Sequence, residues 1–147
     1  MLVYAAVFVA GCGEPREPAS PLQTLQLYAK ALKKKDYTTM KLLLSTETMK
    51  MHEQEAKAQG VTVDDIVKRE TLISESQKSV EFRNEKIDGD KATIEVKDAY
   101  DNWQTIPFVR EEQEWRIDKK GYADRFIQEI EQQNNQIDEQ FNRDRIQ

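Results

Sequence analysis

Apolar residues recur at helical spacing through the first half of this chain and at alternate positions through the second. Leu22, Leu25, Tyr28, Ala29 and Leu32 share one helical face, while Lys30, Lys33, Lys34 and Lys35 turn toward solvent and the negative end of the helix dipole. Ser20 is placed to cap this helix, Pro21 suits its first turn and Gln23 holds the capping-box position, so the pattern predicts a helix from Pro21 to near Lys35. Asp36 caps a second helix through Met40, Leu43 and Leu44. Ser45 or Thr46 starts a continuation through Met49, Met51 and Ala56 that Gly60 ends, and Thr62-Val63-Asp64-Asp65 opens a further helix feeding Ile66, Val67 and Leu72.

After Ser76 the period changes to two. Val80 and Phe82, then Ala92, Ile94 and Val96, then Ile106 and Phe108, then Trp115 and Ile117 alternate with polar residues, with turns at Asp88-Gly89-Asp90, Tyr100-Asp101-Asn102 and around Glu111-Glu112. Apolar residues of neighbouring strands must share a face, so a three-residue loop with a glycine bulge at Asp88-Gly89-Asp90 is expected, setting Phe82 opposite Val96. The same counting sets Val96 opposite Ile106 and Phe108 opposite Trp115 across four antiparallel strands. Pro107 falls on the other face, which predicts a bulged strand or one unpaired on that side.

From Gly121 the pattern is again helical. Tyr122, Phe126, Ile127 and Ile130 form a stripe expected to pack back on the domain; beyond it only Ile137, Phe141 and Ile146 interrupt a stretch rich in Gln, Asn, Asp and Glu, whose distal half is expected to be exposed. The spacing of Ile130, Ile137 and Phe141 suits a partner helix or coiled coil, against which Gln133 and Gln140 count as polar seam residues.

At 147 residues, 33% of them charged, the chain has room for one modest core under a charged surface. Its net charge of -5, with Lys and Arg scattered, argues against a phosphate-binding face, so nucleic acid is not an expected partner. The same sign opposes docking on anionic lipid headgroups.

The single cysteine, Cys12, changes that picture. It follows the uncharged run from Leu2 to Ala10, too short to span a bilayer, and precedes the helix-breaking segment Gly13 to Ser20. Val9-Ala10-Gly11-Cys12 resembles the bacterial lipobox, in which small residues admit a signal peptidase while the thiol takes a diacylglycerol. The resemblance implies a signal peptide over 1–11 and a lipidated Cys12 and tether over 12–20, to which the hydrophobic pattern adds a domain over 21–120 followed by a helix over 121–147. It implies an envelope protein held by acyl chains, and Gly13 in place of the Asp associated with inner-membrane retention points to the outer membrane, facing the periplasm, in a Gram-negative organism. No Lys or Arg precedes Cys12, which departs from the usual signal and leaves room for a start further upstream. With no second cysteine the fold must form without an internal disulfide.

Motifs for chemistry are sparse. His52 is the only histidine, which excludes a multi-imidazole metal centre; beside Glu53 and Glu55 its ordinary reading is a solvent-facing residue, and no metal or cofactor is expected. No Gly-x-Ser-x-Gly elbow or phosphate-binding glycine loop occurs.

Gly89-Asp90-Lys91-Ala92-Thr93-Ile94-Glu95-Val96, then Thr105-Ile106-Pro107-Phe108-Val109-Arg110 and Glu114-Trp115-Arg116-Ile117-Asp118, resemble the strand region of small envelope lipoproteins of the nuclear transport factor 2-like superfamily, including lumazine-binding-like domains of unknown function. The resemblance spans about Leu22 to Asp118. It implies an α+β domain in which N-terminal helices pack on a curved four-stranded antiparallel sheet, cone-like, with a pocket at the open end; the long C-terminal helix is outside the usual pattern. Tyr28, Tyr37, Phe82, Trp103, Phe108 and Trp115 are the aromatic candidates to line such a pocket. The expected function is non-catalytic binding of a small apolar molecule or another envelope protein, with a homodimer among the partners. The alternatives are a pocket enzyme of the ketosteroid isomerase or dehydratase type, for which Asp98, Tyr28, Tyr37 and Tyr100 are the available groups, and a scaffold acting through the C-terminal helix.

Overall fold

The computed structural model describes residues 18–145; the expected signal peptide, Cys12 and most of the tether lie outside them, as does Ile146. Four helices come first. In α1 (Pro21–Lys34) the Ser20 hydroxyl accepts the Gln23 N–H while the Gln23 side chain accepts the Ser20 N–H, and Lys35 ends the helix in a left-handed conformation. Asp36 caps α2 (Tyr37–Leu42), Ser45 caps α3 (Thr46–Gln59), which stops at Gly60 with φ 66, and a Thr62–Asp65 capping box opens α4 (Val63–Arg69). Leu72 falls beyond α4, in the connection to the sheet.

The sheet is antiparallel, in the order β1 (Phe82–Asp88), β2 (Lys91–Lys97), β3 (Trp103–Glu111), β4 (Glu114–Ile117). Phe82 does pair with Val96, but the residue that makes this register is not in the turn. Asp88 pairs with Lys91 across a two-residue Gly89-Asp90 loop, and the extra residue sits in a bulge between Arg83 and Lys86, where Asn84 has φ 54. Asn84 and Arg83 both donate to Glu95 there, and Glu85 is turned to accept the Leu22 N–H at 3.0 Å. That carboxylate serves the first turn of α1, which has no acidic residue of its own.

Two further pairings are shifted by two residues from expectation, which preserves the faces. Val96 lies opposite Gln104, and Ile94 opposite Ile106, because the Asp98 carboxylate accepts the Tyr100 and Asn102 N–H groups and closes a longer loop than expected. Phe108 lies opposite Ile117, and Trp115 opposite Arg110, because the last hairpin turns on Glu112 and Gln113, both left-handed. Pro107 pairs with Thr93 of β2 on one side, while on the other β4 pairing begins only at Phe108, as the expectation of an unpaired side had it. The Pro107 carbonyl accepts the Asp118 N–H at 2.9 Å, so its ring nitrogen faces the β4 side where that strand's ladder ends, and no donor is missed.

The helices cover one face of the sheet, giving an α+β architecture. Leu25, Tyr28, Leu32, Met40 and Val67 pack against the sheet's buried row of Ala92, Ile94, Val96, Ile106, Phe108, Trp115 and Ile117. The final helix α5 (Lys119–Arg145) contacts α3 and β3 at its start and then departs. Tyr122, Ile127 and Ile130, expected to pack back, are exposed, because the domain ends before the helix does; residues 131–143 are exposed throughout. No helix among the described residues is long and apolar enough to cross a membrane.

Trp115, 5% exposed, closes the end of this buried row, whereas Tyr100, 85% exposed, stands on the β2–β3 loop. Trp115→Ala is expected to lower unfolding stability by about 3–5 kcal/mol, and Tyr100→Ala by less than about 0.5 kcal/mol. Urea unfolding of the two variants checks this, and equal midpoints would contradict the assigned core.

Candidate functional site

β4 pairs only with the far half of β3, so from Trp103 to Pro107 one edge of β3 carries no neighbouring strand. The register turns the backbone of Trp103 and Thr105 toward that edge, since the same parity carries the Pro107 carbonyl to Asp118. The first turn of α5 runs beside this edge, and α3 and the segment after α4 close the far side. Between them lies a groove of about 630 Å³. Met51, Leu72, Trp103, Ile106, Pro107 and Tyr122 supply its apolar wall, and Glu70 and Lys119 its charged end.

Behind the charged end is a polar cluster. Helical spacing puts Thr48, His52 and Ala56 on the buried face of α3, with Glu55 beside them. Lys119 donates to the Glu70 backbone carbonyl at 2.7 Å and approaches its carboxylate at 3.3 Å. Arg69 donates to Glu55 at 2.7 Å and to Gln59 at 3.0 Å. His52 is 1% exposed, and its Nδ1 has no hydrogen-bond partner; Glu70 Oε2 lies 3.7 Å away, beyond hydrogen-bond length.

The charges shape one another. Burial pushes the His52 pKa below its ordinary value and the Lys119 ammonium pushes it the same way, against a weaker upward pull from Glu70. Burial likewise lowers Lys119, opposed by Glu70. For Glu70, burial acts upward, but Lys119 and hydrogen bonding within the cluster outweigh it and hold the carboxyl below the usual range. A neutral imidazole therefore sits among two carboxylates and two cations, a charge-balanced group at the end of an apolar groove.

The residues singled out in the sequence are dispersed. Tyr28, Phe108 and Trp115 are packed into the core, and burial pushes the Tyr28 hydroxyl up to about 12. Tyr37 packs against the same core from its edge. Phe82 lines shallow grooves beside α1 with Val80 and the α1 lysines, and Trp103 lines the groove described above, with the Arg83 guanidinium 3.8 Å from its ring centroid. Asp98 is occupied in its loop, where hydrogen bonds, that from Asn102 foremost, hold its carboxyl low; Tyr100 projects into solvent. The isomerase-type groups are thus not brought together. His52 is buried, not solvent-facing, because α4 and α5 close over that face of α3. Glu70 and Lys119 carried no sequence signal, being remote from His52 along the chain and joined to it only by the packing of α5.

No family model and no curated protein matches the chain. Among solved structures, the crystal structure of a "Putative NTF2-like transpeptidase" from Campylobacter jejuni is similar at 18% identity, covering 69% of this chain and 100% of that one, with a TM-score of 0.39. The functional reading rests on the groove itself.

Because the folded His52 pKa lies below its unfolded value of 6.5, protonation favours the unfolded chain. Stability contributed by neutral His52 is present above pH 6.5 and is lost as pH falls from there toward the folded pKa. The thermal midpoint is expected to drop between about pH 7.5 and pH 5.5, and His52→Gln to flatten that dependence. Parallel slopes for the two proteins would contradict the assignment.

Proposed function

We propose that this chain is a lipid-anchored envelope protein whose α+β domain holds a small amphipathic molecule in the groove between β3 and α5, without transforming it. The groove itself carries the reading: its wall is apolar and includes an aromatic ring, while hydrogen-bonding groups gather at one end, as a site that orients a ligand requires. A ligand with an apolar body would lie along Trp103, Ile106 and Leu72, with its polar end toward Lys119 and the free backbone edge of β3. Among the described residues the acid and the cation that line the groove, Glu70 and Lys119, are paired with each other, which favours binding over catalysis. Attachment to the membrane rests on the lipobox-like Val9-Ala10-Gly11-Cys12 and the abrupt change in composition after it. Anchoring by acyl chains would leave the domain facing its compartment on a short extended tether, with the outer membrane favoured where two membranes exist.

Thr105 is exposed beside the groove, so Thr105→Trp fills the space without touching the core. Titration with anilinonaphthalene sulfonate, an apolar probe with one anionic end, is expected to saturate at one site and to weaken at least about tenfold, or 1.4 kcal/mol, in Thr105→Trp. Equal affinity in the two proteins would remove the groove as the site. Cys12→Ser is expected to abolish palmitate labelling and to release the chain from the membrane fraction; unchanged fractionation would remove the anchor.

A further inference from the structure

The unsatisfied nitrogen of His52 is the starting point. A buried donor or acceptor without a partner loses its hydration for nothing in return, at about 1–3 kcal/mol, so such an atom in a folded protein asks for an explanation. Here Nδ1 lies 3.7 Å from Glu70 Oε2, and a His52 ring nitrogen, a Glu55 oxygen and a Glu70 oxygen all lie within 4.8 Å of one another. Arg69 and Gln59 use only Oε1 of Glu55, which leaves its Oε2 clear of those bonds, whereas the Glu70 oxygen nearest His52, Oε2 at 3.7 Å, is the one that Lys119 approaches at 3.3 Å. One imidazole and two carboxylates converge from α3 and the end of α4.

We propose that His52, Glu55 and Glu70 form a binding site for one divalent first-row transition cation, zinc being the best match to its ligand set. Imidazole nitrogen with carboxylate oxygen suits zinc at bond lengths of about 2.0–2.2 Å, and three protein ligands leave a fourth position for water or a ligand. Contraction of the three ligand atoms onto an ion needs only side-chain motion of the two glutamates, each about 30% exposed. Glu70 also lines the groove, so the open position would face it. The Lys119 ammonium is the chief competitor, holding by its charge the place a metal would take. The site shares only Glu70 with the groove, and its test uses no organic molecule.

His52 is the only histidine, so its ring nitrogens give a single, self-assigned signal pair. The test uses the untagged full chain carrying Cys12→Ser, which removes the one thiol that could bind zinc elsewhere. Zinc chloride added during calorimetry and nitrogen-15 NMR is expected to bind once per chain and to move the His52 Nδ1 resonance. Glu55→Gln and Glu70→Gln are expected to weaken binding at least about tenfold, and Lys119→Met to tighten it, since the nearest competing positive charge is gone. The two glutamate variants lie at partly exposed positions, so they remain readable where a His52 substitution unfolds the chain. No saturable uptake, uptake that leaves the Nδ1 resonance in place, or uptake indifferent to both glutamate variants would overturn the proposal.

Discussion

The structure depends on one junction, where the end of β4 is tied into the turn between α2 and α3. Ile117 donates to the Leu43 carbonyl and accepts from the Ser45 N–H, both at 2.8 Å, forming a short parallel bridge with Leu44. Ser45 at once caps α3 through Thr48 and donates to Asp118 at 3.0 Å, while the Thr48 hydroxyl accepts the Lys120 N–H. Two helix N-termini and one strand end thus satisfy each other's free backbone groups. Ser45 and Thr48 are fully buried, which water could not have served in their place.

Through this junction the sheet dictates the electrostatics of the cluster. With Ile117 fixed, α5 must begin beside α3, and its first residue, Lys119, is delivered to Glu70 and against buried His52. The imidazole is kept neutral by burial and by a cation that other parts of the fold put there. A small polar group enclosed by α3, α4 and α5 is therefore a product of strand pairing.

Local rules were legible in the sequence and long-range ones were not. The caps at Ser20, Asp36, Ser45 and Thr62 depend on contacts three residues apart, so the helices could be read from the chain directly. Strand parity was legible for a similar reason, since every buried residue from Ala92 to Ile117 keeps its expected face. Register was not: Asp98 lengthened one loop and Asn84 moved a bulge into the strand, and both act through side-chain hydrogen bonds that alternation does not encode. Of the groove, only Trp103 had been singled out; His52, Glu70 and Lys119 come together by packing alone, and the surface reading of His52 failed because a polar face on α3 gave no sign of being covered.

Gly121 gives the junction a mechanical meaning. The Asp118 carboxylate caps α5 by accepting the Gly121 N–H, and a Cβ at position 121 would overlap that carboxylate, so a side chain there would push the Asp118 side chain out of its capping position. From Lys119 the helix runs 27 residues, roughly 40 Å at 1.5 Å per residue. Its first turn is also a wall of the groove. Groove width and helix heading are consequently one variable, pivoting on Asp118, and a tilt of about 5° would carry the far end of such a helix through roughly 3 Å. A lever of that ratio turns a change too small to alter the core into a displacement large enough for another molecule to feel.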